Sequence, residues 1–280
     1  MIAGTSYIVV QQGEWAGNVM KEETQGLLKE SMHRYWRMIA KTWPVLLLVF
    51  VPIEIVYIAL IPDDPEAPQA YMTSQKWGNI LYCVFGILAD AVVYRFVAAD
   101  RANRSLSCWR LMAEGCSAWG RLFKTNLLSS VVVFLLLLCL VVPGIVWYVF
   151  YAFPTGCVVI GGLGPVKALE ESKRMVKGRW WVTFWMMLGL YGMSYVVGIL
   201  ASIAVEEVSV WLYFLSLDFI FPESDAAWIA CNAGFVAAEV LMDIICLFAR
   251  VGMAVFYLRL VATRQEDVRE GATGLVACMS

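Results

Sequence analysis

No charged residue occurs between Thr125 and Val166. As a single helix, Thr125–Gly162 would be ~57 Å long, nearly twice the ~30 Å apolar core of a bilayer. Divided at Pro143-Gly144, it gives two legs of ~27 Å, each just long enough to cross. Length therefore favours a membrane hairpin with Pro143 and Gly144 as its structural turn. Further apolar stretches lie at 43–62, 78–98, 181–204 and 228–258. With 61% hydrophobic and 16% charged residues, the chain departs from an ordinary soluble domain.

Charge supports the hairpin. Lys and Arg concentrate in segments around 21–41, 101–124, 167–179 and 259–269, whereas residues 205–227 contain neither, and carry five acids. If the hairpin turns at Pro143-Gly144, all four basic segments share one side, and the positive-inside rule makes that side cytoplasmic. A single kinked span would put the last two outside. Trp36, Trp43, Trp109, Trp119, Trp180 and Trp181 fall at the expected inner boundaries, and Trp77, Trp147, Trp211 and Trp228 at the outer ones.

The predicted architecture is all-α. It has an N-terminal segment (1–21), a six-span membrane domain (22–262) and a cytoplasmic tail (263–280). The spans are expected at about 43–62, 78–98, 125–142, 145–162, 181–204 and 228–258, with both termini cytoplasmic. A basic amphipathic helix precedes each pair of spans, which suggests three helix-plus-two-span repeats. "LKES" (Leu28–Ser31) and "LEES" (Leu169–Ser172) occupy similar places in the first and third units. Such basic helices suit a membrane surface bearing anionic lipid, and Lys173, Arg174, Lys177 and Arg179 are the headgroup candidates.

The stretch "VVPGIVWYVFYAFPTGCVVIGGLGPVKALEESKRMVKGRWW" resembles the membrane domain of some glycerophosphodiester phosphodiesterases. It is similar also to the related YciC-like six-span bacterial membrane proteins. Pro143-Gly144-Ile145, Ala168-Leu169, Ser172 and Lys177-Gly178-Arg179-Trp180 carry the likeness, and the closing "FYLRLVATRQED" adds Tyr257 and Arg259. The resemblance implies an accessory membrane part without the catalytic barrel, in the inner membrane of a bacterium. Where that family often has a Glu before the Gly of its small loop, this chain has Gly161-Gly162.

Catalytic material is scarce. His33 is the single histidine, on a polar helix face, and no H-E-x-x-H or G-x-S-x-G pattern occurs. Gly161–Gly164 has neither Walker nor Rossmann spacing, so it reads as a tight turn. The eight cysteines lack C-x-x-C spacing and read as small hydrophobes. No metal, other cofactor or nucleic acid is expected. The informative residues are ionisable groups within spans: Glu54, Asp90, Arg95, Glu239, Asp243 and Arg250. Such groups are costly in lipid and usually face the bundle interior or a water-filled cavity. Arg250 has no acid at i−3 or i−4, so its partner must come from outside its helix, and Asp90 lies at a matching depth.

These features lead first to a non-catalytic integral membrane protein. It would be an accessory or scaffold subunit of a membrane complex, or a helper in envelope or lipid homeostasis. Its expected partners are the bilayer, anionic lipids, and a protein partner or second copy in the membrane. The alternative is a small transporter or lipid-handling protein that uses the buried charges.

Overall fold

A computed structural model describes residues 3–59, 76–216 and 225–279, with side chains for 25–56, 76–211, 234 and 236–264. The acidic connections at 62–75 and 217–224, and the side chains of Trp228, Cys231 and Cys278, lie outside the described residues. Every element is helical: α1 (Ala3–Ala59), α2 (Lys76–Arg101), α3 (Cys108–Cys139), α4 (Val141–Phe150), α5 (Pro154–Val159), α6 (Pro165–Val176), α7 (Trp180–Ser216) and α8 (Asp225–Met279). Among the described residues, six helical stretches are long and apolar enough to cross a membrane: Gln25–Val56, Lys76–Arg101, Cys108–Cys139, Val141–Val159, Trp180–Trp211 and Val236–Arg264. The chain is a multi-pass, all-α membrane protein.

The last span lies at the centre. Its most apolar window is 61% buried, against 11% for the window in α3, whose Phe134, Leu135 and Leu138 point outward. Helix α8 packs along α7 and α1 and reaches α2. Its Val251, Met253, Ala254 and Val255 are enclosed with Phe50 of α1 and Val92 of α2. Lipid cannot drive helix association by the hydrophobic effect, so this order rests on close packing and internal polar contacts.

The hairpin forms, but its turn falls earlier than the Pro-Gly pair. Helix α3 ends at Cys139, and Leu140 is extended at φ −158° and ψ 131°. A proline ring clashes with the carbonyl four residues back, here that of Cys139, so the helix has to break between them. Pro143 then lies in the first turn of α4, where its missing N–H would have no helical acceptor anyway. Gly144 permits the close return, because a Cβ there would lie 2.4 Å from Leu137 Cγ.

The second leg is not one uninterrupted helix. Phe150 closes α4 and Pro154 opens α5, since a residue before proline avoids helical geometry. Ser172 of α6 satisfies the break. It accepts from the Phe153 N–H at 3.0 Å and donates to the Phe150 carbonyl at 2.8 Å. Phe153 itself is fully buried against Phe256 and Tyr257 of α8.

Of the three basic amphipathic helices expected before the span pairs, only the third is a separate helix. The first runs straight into its span within α1, and the second does so within α3. The third, α6, is cut from α7 at Gly178, which sits at φ +89°, a conformation that side chains rarely adopt.

Candidate functional site

Three helices bring intramembrane polar side chains together. Helix α1 supplies Glu54, α2 supplies Tyr82 and Asp90, and α8 supplies Glu239, Asp243 and Arg250. Glu54, Glu239 and Asp243 line one cavity of about 340 Å³ with Ile53, Gly78, Asn79 and Tyr82. No basic side chain is among those lining residues.

Beside the cavity, Arg250 meets Asp90, with Nη1 2.6 Å from Oδ1. This is the inter-helix pair that the missing i−3 and i−4 acids demanded. Both side chains are largely enclosed, at 16% and 25% exposure, so the pair is held in a low-dielectric setting. Arg250 Nη2 also donates to the Tyr82 hydroxyl, and its guanidinium lies 5.7 Å from the Tyr82 ring centroid. Tyr82 and Asp243 both line the cavity. Asp90, Arg250 and Tyr82 thus form a polar chain from the bundle interior to the wall of the cavity, which Asp243 also lines.

Tyr82 was not legible as a member of this network. It begins a π-helical turn, Tyr82–Gly86, that interrupts the α-helical winding of α2. Such turns occur frequently at functional sites, because one extra residue per turn re-aims the side chains. The Tyr82 ring lies close over Gly86 and stacks on Phe50 at 6.4 Å between centroids. The Val84 carbonyl, inside the same turn, accepts from Trp119 Nε1 at 2.7 Å. The only sequence signal was the small Gly86, four residues after an aromatic.

Arg95 does not join the network. It faces Glu114 of α3 at 3.7 Å, and Glu114 also meets Arg110 at 3.5 Å. The basic residues of α6 separate as well. Lys173 sits 4.2 Å over the Trp147 ring, and Arg174 pairs with Glu171 at 2.7 Å. Lys177 is exposed, while Arg179 lines a smaller cavity beside α8. Pro143 and Gly144 stay in the hairpin, away from both cavities. His33 is exposed on α1, and no metal-holding group of His, Cys, Asp or Glu occurs among the described residues.

A family described as "Domain of unknown function (DUF7847)" matches residues 68–260, well over half of the chain. The chain belongs to this family. No curated protein and no solved structure matches it. The DUF7847 segment contains Tyr82, Asp90, Glu239, Asp243 and Arg250, so the polar chain lies wholly inside it. Glu54 contributes to the cavity from outside the matched segment.

Proposed function

We propose that this membrane protein takes up a small organic cation, such as a protonated amine, in the cavity between its first, second and last spans. The observation that carries the reading is the lining of that cavity. Three carboxylates line one cavity within the membrane-spanning region with no basic residue among the lining, and Arg250 beside it is already engaged by Asp90. Like charges brought together in a poorly solvated space repel one another, and a guest cation removes that repulsion. The reading favours a solute-handling role over a purely architectural one, and it uses the buried charges that a scaffold has no need to keep. The membrane is proposed to be the bacterial inner membrane, with the basic ends of the helices in the cytoplasm by the positive-inside rule.

The test is cation-dependent stability. Purified protein in neutral-lipid nanodiscs is melted in sodium, potassium and ethylammonium chlorides, each at the ionic strength of an N-methylglucamine chloride reference. Ethylammonium is expected to raise Tm above the reference, and Asp243→Asn to remove the rise. Identical melting in all four salts would overturn the cation reading and restore the accessory role.

A further inference from the structure

The second cavity lies beyond the other end of the polar chain. Arg174, Met175, Arg179, Leu260, Thr263 and Arg264 line a space of about 150 Å³ between α6, the start of α7 and the last span. Asp243 and Arg264 are both on α8, twenty-one residues apart in sequence, or ~31 Å along the axis. The two cavities are therefore separated by about the thickness of a bilayer's apolar core.

Three guanidinium groups share this second cavity, with one carboxylate beside them. Glu171 bridges two of them, meeting Arg174 Nη2 through Oε2 and Arg264 Nη1 through Oε1, each at 2.7 Å. One negative charge against three positive ones leaves the cluster in excess by two. The Arg179 side chain has no hydrogen bond or ion pair among the described residues. Each bridged arginine uses a single nitrogen on Glu171, and a guanidinium has five N–H donors in a planar fork. Unused donors on three arginines, converging on one small space, match the several oxygens of a phosphate group. Leu260 and Met175 supply an apolar wall, as expected where a headgroup meets acyl chain.

We propose that Arg174, Arg179 and Arg264 form a binding site for a phosphate-bearing anion at the basic end of the bundle. The chemistry is shared by an anionic phospholipid headgroup and by a free phosphate compound. The Glu171 carboxylate holds two arginines in place and competes with the guest for them. This site is independent of the acidic cavity, and neither proposal stands on the other.

The experiment uses the full chain in phosphatidylcholine nanodiscs. In one arm phosphatidylglycerol is added to the disc and retained lipid is counted by native mass spectrometry. In the other, inorganic phosphate is titrated against chloride at constant ionic strength and followed by Tm. Arg179 holds nothing else in the fold, so Arg179→Gln is expected to melt like the parent and bind about fivefold more weakly. Glu171→Gln removes the internal competitor and is expected to bind more tightly. Binding in the lipid arm alone assigns the site to a headgroup, and binding in the phosphate arm alone to a soluble phosphate compound. Binding in neither arm, or binding that Arg179→Gln leaves unchanged, overturns the proposal.

Discussion

Arg250 shows how far a single residue could be read. Its charge within an apolar helix, with no acid at i−3 or i−4, required a partner on another helix, and depth pointed to Asp90. The structure places the two 2.6 Å apart. Asp90→Asn and Arg250→Gln should each cost about 3–5 kcal/mol, because each leaves the other charge buried without its counter-charge. The double variant should lose less than the sum in thermal melts of detergent-solubilised protein; strict additivity would remove the pair as an energetic unit. Tyr82→Phe keeps the ring on Phe50 and removes only the hydroxyl that Arg250 reaches at the cavity wall. Its expected loss is about 1 kcal/mol, with the cation-dependent rise in Tm reduced. A normal cation response in that variant would separate Tyr82 from the cavity's function. Tyr82 could not be found beforehand because a hydroxyl on an apolar helix is commonplace, and the π turn that aims it has no firm sequence signature.

At the level of elements, the weak match of "LKES" to "LEES" acquires physical content. Glu30 of the first motif meets Arg259 of α8 at 2.6 Å, and Glu171 of the second meets Arg264 of α8 at 2.7 Å. Ser31 and Ser172 follow them, and both are fully buried. Equivalent positions therefore tie two basic segments to the same central helix, as expected of a repeat. The serines differ in what they do. Ser172 closes the break between α4 and α5 with two backbone hydrogen bonds, whereas Ser31 Oγ has no partner among the described residues. Ser172→Ala should therefore cost about 1–3 kcal/mol by stranding the Phe153 N–H and the Phe150 carbonyl. Ser31→Ala should change stability by less than about 0.5 kcal/mol or raise it slightly, since it removes a buried polar atom that nothing satisfies. Equal losses in urea or thermal unfolding would show that the two motifs are not divided in this way. The break itself was only half visible. Pro143 announced one interruption, displaced to Leu140 by the clash at Cys139, but Pro154 was absorbed into an apolar run long enough to pass as one span.

For the whole molecule, the pattern that decided the topology was the separation of charge along the chain, and the structure gathers those charges in space. Arg34 and Arg37 of α1 meet Asp100 at the end of α2, Glu30 meets Arg259, and Glu171 meets Arg264. Helices α1, α2, α6 and α8 are thus clasped at one end of the bundle. Lys76 begins α2 at the opposite end from Asp100, and the far end of α7 runs to the same end of α8, Ser209 lying against Gly234. On the proposed topology, an even number of crossings, with the hairpin counted as two, puts every basic segment on one side. The Arg34–Asp100 pair is largely enclosed, whereas the pairs made by Arg37, Arg259 and Arg264 are more open and individually contribute little, so their arrangement speaks to sidedness more than to stability. The proposed orientation places that side in the cytoplasm, following the positive-inside rule. The exposed residues Lys177 and Lys76 report on the two ends without disturbing a described contact. In intact cells, a membrane-impermeant maleimide should label Lys76→Cys above the background of the unsubstituted protein. Lys177→Cys should react only after the membrane is opened. Labelling of Lys177→Cys from outside, with Lys76→Cys protected, would invert the protein in the membrane while leaving six crossings intact. Labelling of both from outside would break the parity on which the hairpin depends.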